Sequence, residues 1–347
     1  MERDTTVINE KAIRPGMYST VFESFTSDYL SGLVETFTHP RKRLFVGYVA
    51  LALLLGFIWL RWKGQGWGQS LKSIFSRKVW WSESARADYM LVVINRALML
   101  LVSPFLLGQL VVATWLYFQL FDHYGLPPAA GSLLPDWAVV ASFTATFFLL
   151  DDFARYFVHM LMHRWPVLWA FHKVHHSART MTPLTVLRTH PVEGVLFALR
   201  SVLVQGVTID TFRFFFGDQV DLYTVLGVNV FVFLFNAAGS NLRHFHIPIH
   251  YWPWLERILI SPAQHQIHHS VEPRHFDKNF GAVLAIWDWI GGSLHRSEPG
   301  HPLAFGISKN VETDEHRLST LYLQPFREAL RIVVGWFRVG PFKRRSL

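Results

Sequence analysis

Residues 97–121 (ALMLLVSPFLLGQLVVATWLYFQLF) carry no charged side chain, and the run is long enough to cross a bilayer as a helix. Three further runs resemble it: 44–60 (LFVGYVALALLLGFIWL), 137–150 (WAVVASFTATFFLL) and 220–238 (VDLYTVLGVNVFVFLFNAA). The helix over 137–150 is expected to continue past Asp151 and Asp152. A weaker run, 192–209, contains Arg200. Four or five crossings follow. Composition agrees, since hydrophobic residues make up 51% of the chain and charged residues 17%, against about a quarter in soluble domains. Much of the surface therefore faces lipid.

Charge orients these spans. The segment 61–96 holds Arg61, Lys63, Lys72, Arg77, Lys78, Arg86 and Arg96. Another basic group lies in 151–191, and the chain from Arg243 onward is basic, whereas 122–136 has neither Lys nor Arg and 210–219 has only Arg213. Positive loops stay on the cytoplasmic side, so 61–96, 151–191 and 240–347 are expected to share it. Arg41-Lys42-Arg43 precede the first run, so no signal peptide opens the chain and the N-terminal topology stays open. The net charge of +8 suits anionic headgroups; with no nucleic-acid-binding motif beside it, nucleic acid is not an expected partner.

The 18 histidines are grouped rather than scattered. His159 and His163 stand four apart beyond the 137–150 span; His172, His175 and His176 form HKVHH; His265, His268 and His269 form HQIHH. His190 lies in RTHPVE, and His244 and His246 lie in NLRHFH. Residues three and four apart share a helix face, so each group presents its imidazoles together. The two runs between 151–191 and 240–347 form a hairpin that returns both segments to one membrane side. The fold expected is all-α: a multi-pass transmembrane helical bundle of four to five spans under a cytosolic histidine-rich helical cap.

The absence of cysteine excludes disulfides, thiolate-held zinc, iron–sulfur clusters and a cysteine nucleophile. Clustered imidazoles suit Zn, Fe, Cu or Ni. One four-coordinate ion needs fewer ligands than are gathered here, so two ions are implied. Iron with O₂ explains ligation placed beside lipid, because an unactivated C–H bond needs an oxidant. Zinc hydrolysis and a histidine-rich metal transporter are the rivals, though transport sites lie near the midplane and these histidines flank the spans.

From Asp152 to His295 the chain resembles the fatty acid hydroxylase superfamily, or sterol desaturase family. The resemblance rests on DFARYFVHMLMH, HKVHHS, RTHPVE, SPAQHQIHHS and DKNFGAVLAIWDW. It implies a di-iron centre, O₂, a lipid substrate to be hydroxylated or desaturated, and a separate electron donor (a reductase, a cytochrome b5-like protein or a ferredoxin). A sterol C-5 desaturase or C-4 methyl oxidase type of activity falls within it. It also implies metal-ligand roles for His159, His163, His172, His175, His176, His265, His268 and His269, with His244 and His246 added from NLRHFH and His250 as a substitute for one of these. Tyr156, His190 and Glu193 are the candidate catalytic residues. Asp152, Glu193, Asp277 and Asp288 are candidate acceptors for the second N–H of bound imidazoles. Two departures stand out: Met160 replaces the usual basic residue of HxxxH, and Gly291-Gly292-Ser293 replaces Phe-Gly-Thr.

The expected organisation is an amphipathic segment over 1–43, spans over 44–150, a catalytic domain over 151–300 containing two further spans, and a basic amphipathic tail over 301–347. The membrane is a bacterial inner membrane or the endoplasmic reticulum.

Overall fold

The computed structural model describes residues 10–106, 108–125, 134–308 and 315–339. Among them the regular structure is helical apart from one short hairpin, Thr224–Val225 paired with Val228–Asn229, and two isolated bridges. Helix α1 covers Glu10–Thr38 and α2 Val46–Trp62; the short α3 and α4 cover Trp67–Ile74 and Arg77–Trp80. Then follow α5 (Glu83–Val102), α6 (Gln109–Tyr124), α7 (Asp136–Arg164), α8 (Pro166–His176) and α9 (Pro191–Phe216). The last are α10 (Val230–Ala237), α11 (Pro262–His268), α12 (Ile286–Ile290) and α13 (Leu318–Val339).

Among the described residues three segments are long and apolar enough to span a membrane, Glu83–Phe105, Asp136–Arg164 and Pro191–Gln219, and Val46–Trp62 is a shorter apolar helix. With these helices the chain is built as an integral membrane protein. The run 97–121 does not form one continuous helix. It divides between the end of α5 and all but the end of α6, because Pro104 has no N–H to continue the ladder and its ring crowds the carbonyl four residues back. Nor is 220–238 a continuous helix. It begins as the hairpin, turns through Leu226 at φ 51° and Gly227 at φ 71°, and is helical only over α10, whose eight residues span about 12 Å.

Helices α6 and α7 both pack along α9. The 29 residues of α7 extend roughly 44 Å, more than the ~30 Å of a hydrocarbon core. Its last turns, with His159 and His163, therefore reach beyond the apolar layer. A buried ion pair fixes α9 against α7 midway: Arg200 Nη1 donates to Asp151 Oδ1 at 2.6 Å and to the Asp151 carbonyl at 3.0 Å. Arg155 holds the other Asp151 oxygen at 2.7 Å.

Next to the spans lies the cap, formed by α8, the 3-10 turn Ser240–His244, α11 and the segment through α12. The fully buried Arg188 ties α8 to α5: its guanidinium donates to Asp88 Oδ1 (2.9 Å), to Ser177 Oγ (2.8 Å) and to the Val174 carbonyl (3.0 Å). Helix α13 closes the outside of α8, with Ala329 against Ala170 and Phe171. It leaves Leu330 and Phe337 exposed, as a helix lying on a membrane surface does. Helix α1 lies along α5, where Tyr29 Oη donates to the Val93 carbonyl.

Candidate metal centre

Two groups of imidazoles meet inside the cap. His159, His163, His172, His176 and His268 form one, and His175, His244, His265 and His269 form the other; within each group one ring nitrogen per residue lies within 4.8 Å of all the rest. Helical spacing explains the local halves: the last turns of α7 give His159 and His163, the C-terminal end of α8 gives the HKVHH set, and α11 with its C-cap gives the HQIHH set. Pro166 and Pro262 open α8 and α11 at the first helical position, where no N–H is needed, and Ser261 and Gln264 form a capping box. The two groups adjoin, since His176 and His269 stack with ring centroids 4.4 Å apart.

Three of these rings have backbone acceptors for their outer nitrogen. His159 Nδ1 donates to the Phe280 carbonyl at 2.7 Å, His268 Nδ1 to the Lys278 carbonyl at 2.8 Å, and His175 Nδ1 to the Arg188 carbonyl at 3.2 Å. His172 Nδ1 lies 3.2 Å from Glu193 Oε2. A carbonyl can only accept, so for His159, His175 and His268 the tautomer is assigned: Nδ1 carries the proton and Nε2 keeps a lone pair. The inner nitrogens converge. The Nε2 atoms of His159 and His172 are 3.1 Å apart, those of His175 and His244 3.1 Å, and those of His244 and His265 2.9 Å.

Protonation of one ring in each pair would relieve the repulsion, but burial opposes it. Burial lowers His172 to about 3 and His175 to about 4. It also pushes His176, His244, His265, His268 and His269 well below the ordinary imidazole range, with neighbouring imidazoles adding to the effect. The nitrogens His163 Nε2, His176 Nε2, His268 Nε2 and both of His269 are buried without any hydrogen-bond partner. Neutral, converging, orphaned imidazoles need a cation between them, so the donor set fits two metal ions.

Several expected residues stand elsewhere. His246 donates from Nε2 to the Ser73 carbonyl at 2.8 Å and is in neither group. His250 Nδ1 bonds Ser297 Oγ at 2.8 Å. His190 caps α9, accepting at Nδ1 from Val192 N–H at 3.2 Å, and donates Nε2–H to the Tyr322 carbonyl at 3.2 Å. Tyr156 is buried between Phe153 and Phe280. Its hydroxyl occupies the space of a side chain at Gly291, where an added Cβ would come within 2.1 Å of it. That contact accounts for glycine where the family pattern has phenylalanine.

Of the carboxylates, only Glu193 faces an imidazole of the two groups. Asp152 accepts instead from Val283 N–H, Leu284 N–H and Trp287 Nε1–H. Asp288 accepts from Phe280 N–H at 2.8 Å, Gly281 N–H at 2.7 Å and Ser293 Oγ at 2.6 Å. Both thereby hold the loop whose Phe280 carbonyl fixes His159. Asp277 lines a cavity of about 330 Å³ that opens onto His163, His176 and His268. Sequence reasoning missed the carbonyls of Arg188, Lys278 and Phe280, because a backbone acceptor leaves no side-chain signature. The Trp169 ring packs against the same cluster, with centroids 5.0 Å from His163 and 5.3 Å from His176.

Residues 144–293 match the fatty acid hydroxylase family. The chain is 27% identical to Delta(7)-sterol 5(6)-desaturase of Gibberella zeae over 67% of its length and 56% of the relative's. It is 28% identical to human alkylglycerol monooxygenase over 48% of its length and 34% of the relative's. It is also 28% identical to the ornithine lipid hydroxylase OlsE of Rhizobium tropici over 54% of its length and 51% of the relative's. The chain thus spans about half the length of these relatives, or less. No solved structure matches it. The segment 144–293, which matches the fatty acid hydroxylase family, supplies the nine imidazoles of the two groups and the carbonyls and carboxylate beside them.

Proposed function

We propose that the chain is a membrane-bound non-haem di-iron oxygenase that hydroxylates or desaturates a lipid, using O₂ and electrons from a separate donor. The observation that carries this reading is the pair of adjacent imidazole groups with inward, unprotonated nitrogens beside membrane-spanning helices. His159, His163, His172, His176 and His268 would hold one iron, and His175, His244, His265 and His269 the other. When bound, the irons supply activation of O₂ and oxidation of a lipid C–H bond, chemistry that no protein side chain provides.

The chain's own residues do the rest. The carbonyls of Arg188, Lys278 and Phe280 fix the rings of His175, His268 and His159 and keep their outer nitrogens protonated, and Glu193 lies 3.2 Å from the outer nitrogen of His172. The 330 Å³ cavity bordered by His163, His176, His268, Trp169 and Phe276 admits the reacting part of the substrate. Trp169 shields the two imidazoles it touches from water. A second cavity, of about 820 Å³ and lined by Trp59, Phe148, Phe231, Leu234 and Val283, gives an apolar chain a place beside the spans. Such largely apolar walls suit an acyl or sterol body. The basic loops support a cytoplasmic position for this face, where a reductase, a cytochrome b5-like protein or a ferredoxin would supply electrons.

Lipid extracts of cells expressing the chain test the reading. A lipid gaining one oxygen atom, or losing two hydrogens, is expected with the intact chain and absent with His172→Ala and His268→Ala. Undiminished product in either variant overturns the assignment.

A further inference from the structure

We propose that His275, His295 and Glu298 form a third metal site, separate from the two imidazole groups and suited to a single divalent ion of the zinc class. One ring nitrogen of each histidine and one carboxylate oxygen lie within 4.8 Å of one another. His275 is only 1% exposed, yet neither of its ring nitrogens has a hydrogen-bond partner. Leaving a buried imidazole wholly unsatisfied is costly. No core-packing role requires histidine there, since an apolar side chain would avoid that cost.

His275 and His295 lie 5.2 Å apart between ring centroids, with planes at 65°. His295 Nε2 stands 3.4 Å from Glu298 Oε1 without forming a hydrogen bond. Arg274 donates to both Glu298 oxygens, at 3.1 and 3.0 Å. Those bonds keep the carboxylate ionised and aimed, the role that outer partners play for metal-binding carboxylates. Two imidazoles and a carboxylate, with a position left for water, are a donor set that zinc accepts. A cavity of about 250 Å³ lined by His275, Glu298 and His301 gives an ion its entry path.

The site is also built rigidly. Asn279, at φ 57°, donates from Nδ2 to the His295 carbonyl at 2.9 Å and accepts His295 N–H at 2.7 Å, so the two stretches carrying the ligands are clasped. Between them lie Lys278 and Phe280, whose carbonyls receive His268 and His159. An ion here would brace the loop that orients the main centre.

Zinc binding to the full-length chain in detergent tests this. The protein is stripped with chelator, dialysed against zinc, and its metal counted per chain in the wild type, His275→Asn and Glu298→Ala. Both variants are expected to hold one ion fewer than the wild type and to lose part of the zinc-induced rise in Tm. Equal counts in wild type and variants overturn the proposal. Glu298 is 41% exposed, so its removal leaves the fold intact and decides the matter even where His275→Asn does not fold. The ions retained by both variants report on the main centre, so failure of one reading is distinct from failure of the other.

Discussion

Glu193 sits in the first turn of α9, 3% exposed, with Oε2 facing His172 Nδ1. A carboxylate in that position raises the basicity of the opposite ring nitrogen and fixes the ring plane. Glu193→Gln keeps the shape and an acceptor oxygen but removes the charge. Metal affinity is expected to fall by roughly 10–100-fold, read by competition against a chelator of known affinity; unchanged retention would show that Glu193 only fills space. At this scale the grouped histidines were readable because helical periodicity carries them. His246 was not separable from His244 in NLRHFH. The 3-10 turn ends at His244 and Phe245 is extended at φ −124°, which sends His246 toward Ser73. His190 was readable as important but not in its role, since a histidine before a proline at a helix start is also a cap.

Between elements, the Asp151–Arg200 pair fixes the distance between α7, which carries His159 and His163, and α9, which carries Glu193. Asp151→Leu leaves Arg200 without its carboxylate in a buried position and is expected to destabilise by about 3–5 kcal/mol. Arg200→Met is expected to be milder, because Arg155 still pairs with Asp151 at 2.7 Å. Thermal unfolding of both variants in detergent checks the order; a reversed order would mean that Arg200, not Asp151, is the better-compensated partner. Hydropathy found the apolar runs but not their breaks. Ser103-Pro104 was the signal for the division of 97–121, and a run of apolar residues outweighed it. In 220–238 apolar composition is shared by a membrane helix and a buried return segment, so periodicity could not separate them.

Across the whole molecule, the long α7 carries one pair of histidines past the apolar layer, and α8 turns back to add three more. Helix α9 leaves and the 217–239 segment returns, so that His244 and α11 meet α8 although 69 residues separate His244 from His175. Charge and span order predict that convergence, and the structure brings the same stretches together by a different route, with a hairpin and a short helix in place of a full return span. The pairing of each imidazole with a particular group could not be read, because it depends on ring orientation set by backbone carbonyls. The most direct measurement is a Mössbauer spectrum of the full-length chain loaded with ⁵⁷Fe in detergent, alongside His172→Ala and His265→Ala. Two inequivalent iron components of equal area are expected, each variant losing chiefly the component of its own group. A single component, or lipid oxidation undiminished in protein free of iron, would contradict the two-ion centre.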